Sequence, residues 1–202
     1  MNDILVIDDL VDPIYQDKIQ NLLFSYGFDW HIGPSNLGRQ GVNDPLTFMD
    51  PNTVDILMFT HRFYNNHLKQ QPPTAEFMRP LIQSGIDQFG IENGEIFRVK
   101  ANLLLNSKRV DPGTYHPTHV DVIVDHLVMI YYVNDTDGDT IIFNETYGSS
   151  FTQLTEKFRV SPKKGRAVCF PGKYYHTGSS PVNNHMRSVI NCDILIKPKG
   201  GV

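Results

Sequence analysis

From Glu95 onward the apolar residues come in short runs: IFRVKANLLLN, HLVMIYYVN, TIIFN, FRVSP, GRAVCF, YYHTG and SVINCDILI. Turn signals separate them at Asp111-Pro112-Gly113, Asp135-Thr136-Asp137-Gly138, Pro162-Lys163-Lys164-Gly165 and Pro181-Val182-Asn183-Asn184. Many short strands of this kind predict a sandwich or barrel rather than an alternating α/β sheet. The N-terminal half has a different period. Ile4 to Ile7 reads as a short strand, and Asp12-Pro13 as a helix start with its cap and a first-turn proline. Ile19, Leu22, Leu23 and Tyr26 then form one helical stripe, with Gly27 placed to end it. Pro72-Pro73-Thr74 opens a second helical stretch reaching about Phe89, closed by Gly90; Pro80 inside it predicts a kink or a later true start. Val54 to Phe63 suits a strand or a short helix. Gly33 to Asn52, dense in Gly, Pro, Asn and Asp, predicts a long loop that either covers a substrate or lacks order. The predicted class is mainly β with flanking helices (α+β), the helices packed on the outside of one sheet. One domain is expected over 1–202, with helical support and first strands to about 95 and the core from about 96 to 195.

Bulk properties exclude some functions. A formal net charge of −4 argues against a protein that holds nucleic acid mainly by neutralising phosphates. The opening MNDILVIDDLV has acids at Asp3, Asp8 and Asp9 and no basic stretch before an apolar one, so neither a signal peptide nor a membrane span is expected. Cys169 and Cys192 both sit in apolar runs and read as buried free thiols in a reducing, cytoplasmic setting.

The candidate chemistry lies between Thr118 and Asn191. His119 and Asp121 are the outer members of HVD, and in an extended chain residues i and i+2 share a face. His176 follows in KYYHTGSSP, and Arg187 heads the last strand. Two imidazoles and one carboxylate on one side of a metal leave the opposite positions open, which is the facial arrangement of non-haem iron(II) oxygenases. A buried Arg among aliphatic neighbours requires an anionic partner, and its planar fork suits a carboxylate. The chain has eight histidines, so most must be bland. His116 would sit on a different face from His119, His126 neighbours Asp125 but points oppositely, and His185 reads as a loop residue. Asn191 shares the Arg187 face, and Asn102 is a weaker candidate for the same pocket.

The ordered set, with HLVMIYYVND-TDGDTIIF, SPKKGRAVCFPGKYYHTGSSPV and RSVINCDI between and around its members, resembles the iron(II)- and 2-oxoglutarate-dependent dioxygenases, specifically their prolyl 4-hydroxylase-like branch, over roughly Ile96 to Leu195. The resemblance implies a double-stranded β-helix (a jelly roll). It implies Fe(II) held by His119, Asp121 and His176, 2-oxoglutarate anchored by Arg187 and reached by Tyr132 rather than Tyr131, and O2 as the oxidant. Leu103, Leu104 and Leu105 stand where some hydroxylases place a Tyr, so the holder of the inner carboxylate is not assigned. The implied reaction hydroxylates a C–H bond, at a prolyl residue of a peptide or protein, and releases succinate and CO2. A free amino acid or other small molecule is the alternative substrate. A catalytically inactive jelly-roll binding module is the alternative of another class; degenerate members usually lose a ligand or the Arg, and all four residues are present here.

Overall fold

Period-two alternation in the long strands divides their apolar side chains between two cores. The computed structural model describes residues 3–33, 46–68, 70–106 and 111–197. In chain order, β1 (Leu5–Ile7), α1 (Pro13–Leu23), β2 (His31–Gly33), β3 (Thr47–Phe48) and β4 (Met58–Asn65) come first. A 3-10 helix at Pro73–Met78 then leads into α2 (Arg79–Gln88). The remainder is β5 (Gly94–Leu105), β6 (Thr118–His119), β7 (His126–Tyr132), β8 (Thr140–Thr146), β9 (Glu156–Val160), β10 (Ala167–Pro171), β11 (Tyr174–Gly178) and β12 (Met186–Ile196). A seven-stranded sheet runs β1-β10-β7-β12-β5-β4-β2, and a five-stranded sheet runs β3-β6-β11-β8-β9. Pairing between these strands is antiparallel throughout.

The two sheets meet through Val128, Ile130, Tyr132, Val168, Phe170 and Val189 on one side and Ile142, Val160 and Tyr174 on the other. This is the face-to-face packing of a jelly roll. The opposite face of the larger sheet is apolar as well. There Met129, Tyr131, Ile190, Cys192 and Ile194 share a cluster with Ile19 and Leu23 of α1 and Leu81 of α2. Ile19, Leu23 and Leu81 are fully buried, each contributing roughly 1.5–3 kcal/mol. Gly85 of α2 permits the close approach: a Cβ there would lie 2.2 Å from the Met129 sulfur. Because both faces of β7, β10 and β12 are covered, these strands read as nearly continuous apolar text.

Local signals hold with corrections. The Asp12 carboxylate accepts the Tyr15 N–H at 3.0 Å, capping α1. The helix ends at Leu23, whose carbonyl accepts the Trp30 indole N–H at 3.0 Å, so Gly27 lies in the following turn and Tyr26 is fully exposed instead of completing the stripe. Pro80 falls in the first turn of α2, where its missing N–H is no loss, so the helix starts there and is not kinked. Of Val54 to Phe63, which suits strand or helix, the part from Met58 on belongs to strand β4. Of the stretch 33–52, Gly33 closes β2 and Thr47–Phe48 forms β3, whereas 34–45 lies outside the described residues. Cys169 and Cys192 are buried free thiols. No helix among the described residues is long and apolar enough to cross a membrane.

Candidate metal centre

β6 is only two residues long, but it lies between β3 and β11, with His119 in register with both Thr47 and His176. That register stacks the His119 and His176 rings at 4.8 Å between centroids. Asp121 falls past the end of β6, and its buried carboxylate still turns back, Oδ2 lying 3.2 Å from His176 Nε2. One ligand atom from each of His119, Asp121 and His176 lies within 4.8 Å of the others; among the described residues this is the group suited to a metal.

Both imidazoles are oriented by backbone carbonyls. His119 Nδ1 lies 3.2 Å from the Pro117 oxygen and His176 Nδ1 lies 3.1 Å from the Tyr174 oxygen. A carbonyl accepts only from Nδ1–H, so each ring keeps its Nδ1 on the backbone, and Nε2 is the nitrogen each can offer a metal, that of His176 on the side of Asp121. Burial, reinforced by the neighbouring His176 ring and Lys100, pushes His119 down to about 3 despite Asp121. Burial would raise Asp121, but Lys100, the hydrogen bond from His176 and Arg98 together hold it well below the usual carboxylate range. A neutral imidazole and an ionised carboxylate are the forms that ligate a divalent ion. The residues therefore fit a ferrous ion.

Arg187 sits at the other end of the cavity. It pairs across the ladder with Leu104, is 4% exposed, and donates from Nε to the Gly138 carbonyl at 2.6 Å and from Nη2 to Thr140 Oγ1 at 2.8 Å. Among the described residues no carboxylate lies within ion-pair distance of it. Burial lowers its pKa, with Tyr132 and Asp139 working against that. A buried guanidinium held by two neutral oxygens keeps a planar donor face of the kind that suits a carboxylate. Gly138 shapes this end: its φ is +94°, and a Cβ would stand 2.6 Å from the Ser179 carbonyl and 3.1 Å from Arg187 Cδ. Gly138→Ala is expected to cost at least roughly 1–2 kcal/mol for the left-handed backbone alone; an unchanged urea midpoint would contradict the close packing here.

Other expected residues fall as follows. Tyr132 faces the interior between the sheets and Tyr131 the helix side, as alternation requires. The Tyr132 hydroxyl donates to Thr140 Oγ1 at 2.7 Å, and its ring lies 5.8 Å from Arg187 Cζ, so it packs beside the guanidinium. Asn102, Leu104 and Asn191 line the cavity. His116 corrects the expectation of a different face. Its N–H donates to the Gly178 carbonyl at 3.0 Å, which turns it toward the cavity near Arg187, with Nε2 2.9 Å from Ser180 Oγ. Burial and then Arg187 push His116 down to about 4. His126 is buried with Nδ1 2.8 Å from the Val124 carbonyl and is not part of the metal-suited group, and His185 is exposed in a turn.

Sequence reading missed Arg98, Lys100 and Asp193. Arg98 Nη2 lies 2.5 Å from Asp121 Oδ1 and 2.6 Å from Asp193 Oδ2, and Lys100 Nζ lies 3.7 Å from Asp121 Oδ1. Burial, then the charge on Asp121, raises Asp193 to about 6 against the pull of Arg98 and Lys100. The available signal was polar alternation inside apolar strands: Arg98, Lys100 and Asn102 on β5, and Arg187, Asn191 and Asp193 on β12.

No protein-family model matches the sequence, and no curated protein matches it either. The fold is similar to solved structures. A 2OG-Fe(II) oxygenase family oxidoreductase from Burkholderia pseudomallei aligns with TM-score 0.64 at 12% identity, over 96% of this chain and 85% of that one. The non-haem α-ketoglutarate-dependent epimerase SnoN of nogalamycin biosynthesis aligns with TM-score 0.62 at 11% identity, over 99% and 83%. A Trichoplax adhaerens prolyl hydroxylase, solved with a peptide fragment of the hypoxia inducible factor oxygen degradation domain, aligns with TM-score 0.60 at 12% identity, over 96% and 84%. At these identities the likeness establishes the shared fold of this oxygenase class.

Proposed function

We propose that this chain is an iron(II)- and 2-oxoglutarate-dependent dioxygenase that hydroxylates a C–H bond of a prolyl residue in a peptide or protein. The observation that carries the reading is the pairing of the His119–Asp121–His176 cluster with a buried Arg187 that meets no carboxylate among the described residues, His119, His176 and Arg187 lining one cavity. When bound, the ferrous ion and its cosubstrate supply the oxidative decarboxylation that gives succinate and CO2 and drives hydroxylation with O2. The chain's own residues bind and orient. His119, Asp121 and His176 offer three donor atoms. Arg187, braced by Gly138 and Thr140, takes the distal carboxylate, and Tyr132 holds Thr140 in place. Leu104, Ile130 and Val189 give the cavity apolar walls that limit water. Asn102 and Asn191, whose buried side-chain oxygens have no hydrogen-bond partner among the described residues, are polar groups of the lining that could meet cosubstrate or substrate.

Similarity to a prolyl hydroxylase solved with a peptide supports the peptide substrate; similarity to SnoN supports a second reading, the same chemistry on a small molecule. The test is release of labelled CO2 and succinate from 2-oxoglutarate with iron and ascorbate, with prolyl peptides and free amino acids as prime substrates. Peptide-stimulated turnover with a 16 Da mass gain at proline is the expected outcome. Stimulation by small molecules alone would select the second reading. Metal binding with no decarboxylation at all would point to an inactive binding module.

A further inference from the structure

Arg98 and Asp193 face each other across the β5–β12 ladder, and one guanidinium nitrogen, Nη2, touches both Asp193 and Asp121. Asp193 is completely buried and the Arg98 side chain is 12% exposed. A buried ion pair adds little or no net stability, so the needs of the fold do not explain it. Its position does suggest a task. Arg98 holds Oδ1 of Asp121, Lys100 also lies nearest that oxygen, and Oδ2 is the one turned toward His176. A carboxylate with two idle oxygens can grip a metal through both and fill a position that the chemistry needs open. A lone cation beside the metal would in turn repel it, and the negative charge of Asp193 cancels that of Arg98.

Building on the metal site proposed above, we propose that Arg98 and Asp193 act as a charge-neutral positioning pair. Arg98 reserves Oδ1 so that Asp121 binds the metal through Oδ2 alone, and Asp193 fixes Arg98 and offsets its charge. Neither residue touches the metal; both act through Asp121, as outer partners of metal ligands commonly do.

The experiment is Mn(II) titration and Co(II) absorption spectroscopy at pH 8 on wild type, Asp193→Asn and the double variant Arg98→Met/Asp193→Asn. Arg98→Met alone would strand a buried carboxylate, so the double variant carries the test of orientation. Asp193→Asn keeps the shape and leaves Arg98 uncompensated. It is expected to weaken Mn(II) binding by about 10–100-fold with the metal-free protein still folded. The double variant restores neutrality and is expected to regain most of that affinity. Its Co(II) ligand-field bands should weaken and shift, because Oδ1 loses its shortest partner and keeps only the longer contacts of Lys100 and Asn191. A merely structural pair would move the melting temperature and leave those bands alone. Wild-type Mn(II) affinity in Asp193→Asn, or a wild-type Co(II) spectrum in the double variant, overturns the proposal. A wild type that binds neither ion overturns the metal site itself.

Discussion

Asp121→Asn removes metal binding, and turnover with it. The substitution keeps volume, so the small buried niche between β6 and the larger sheet stays filled, but the one negative charge among the three donor residues is gone. Asn191 and Arg98, which now point donors at the carboxylate, are left facing an amide. Loss of an outer partner typically costs 10–100-fold in metal affinity, and loss of a charged ligand is expected to exceed about 100-fold. Mn(II) titration followed by electron paramagnetic resonance reads the affinity, and a melt of the metal-free protein confirms that it is folded. Binding within tenfold of wild type would show that Asp121 is not a ligand. Asparagine is the better probe than alanine here, because alanine would also open a void beside Arg98 and Lys100.

Arg187→Ala has the second large effect, and it falls on the cosubstrate rather than the metal. A charge-assisted hydrogen bond contributes roughly 1.5–3 kcal/mol, and a bidentate fork makes two. The 2-oxoglutarate dissociation constant should therefore rise about 100-fold or more, while Mn(II) affinity stays near wild type because the two ends of the cavity are built from different residues. Arg187→Lys should recover only part of the loss, since a point charge cannot reproduce two parallel donors or the braces to Gly138 and Thr140. Calorimetric titration of 2-oxoglutarate into the Mn(II)-loaded variants decides it. An unchanged constant in Arg187→Ala would place the anchor elsewhere.

The convergence of His119, Asp121 and His176 and the burial of Arg187 were legible in sequence because they depend on order and local spacing: HVD, a distal His behind a strand and turn, and an Arg at the head of an apolar strand. Period two requires that only one of Tyr131 and Tyr132 face inward, and the family resemblance, not the spacing, picks Tyr132. Residues whose role rests on cross-strand register were not legible. Arg98 meets Asp193 only because β5 lies beside β12 in one particular register, and the polar alternation on each strand marks the residue without naming its partner on the other. His116 was misplaced for a related reason. Extended spacing was assumed from 116 to 119, whereas β6 begins only at Thr118 and the backbone of His116 is tied to the end of β11. Gly27 failed as a helix end because the Trp30 indole, seven residues beyond Leu23, takes the terminal carbonyl.

Two of the three proposed ligands, His119 and His176, face each other on adjacent strands of the five-stranded sheet, while the third is gripped from the seven-stranded sheet by Arg98 on β5 and Asn191 on β12. An ion seated among them would therefore work as a staple across the seam of the roll. Its arrival would couple the breathing of the two layers, so that occupancy at one point sets the stiffness of the whole open end.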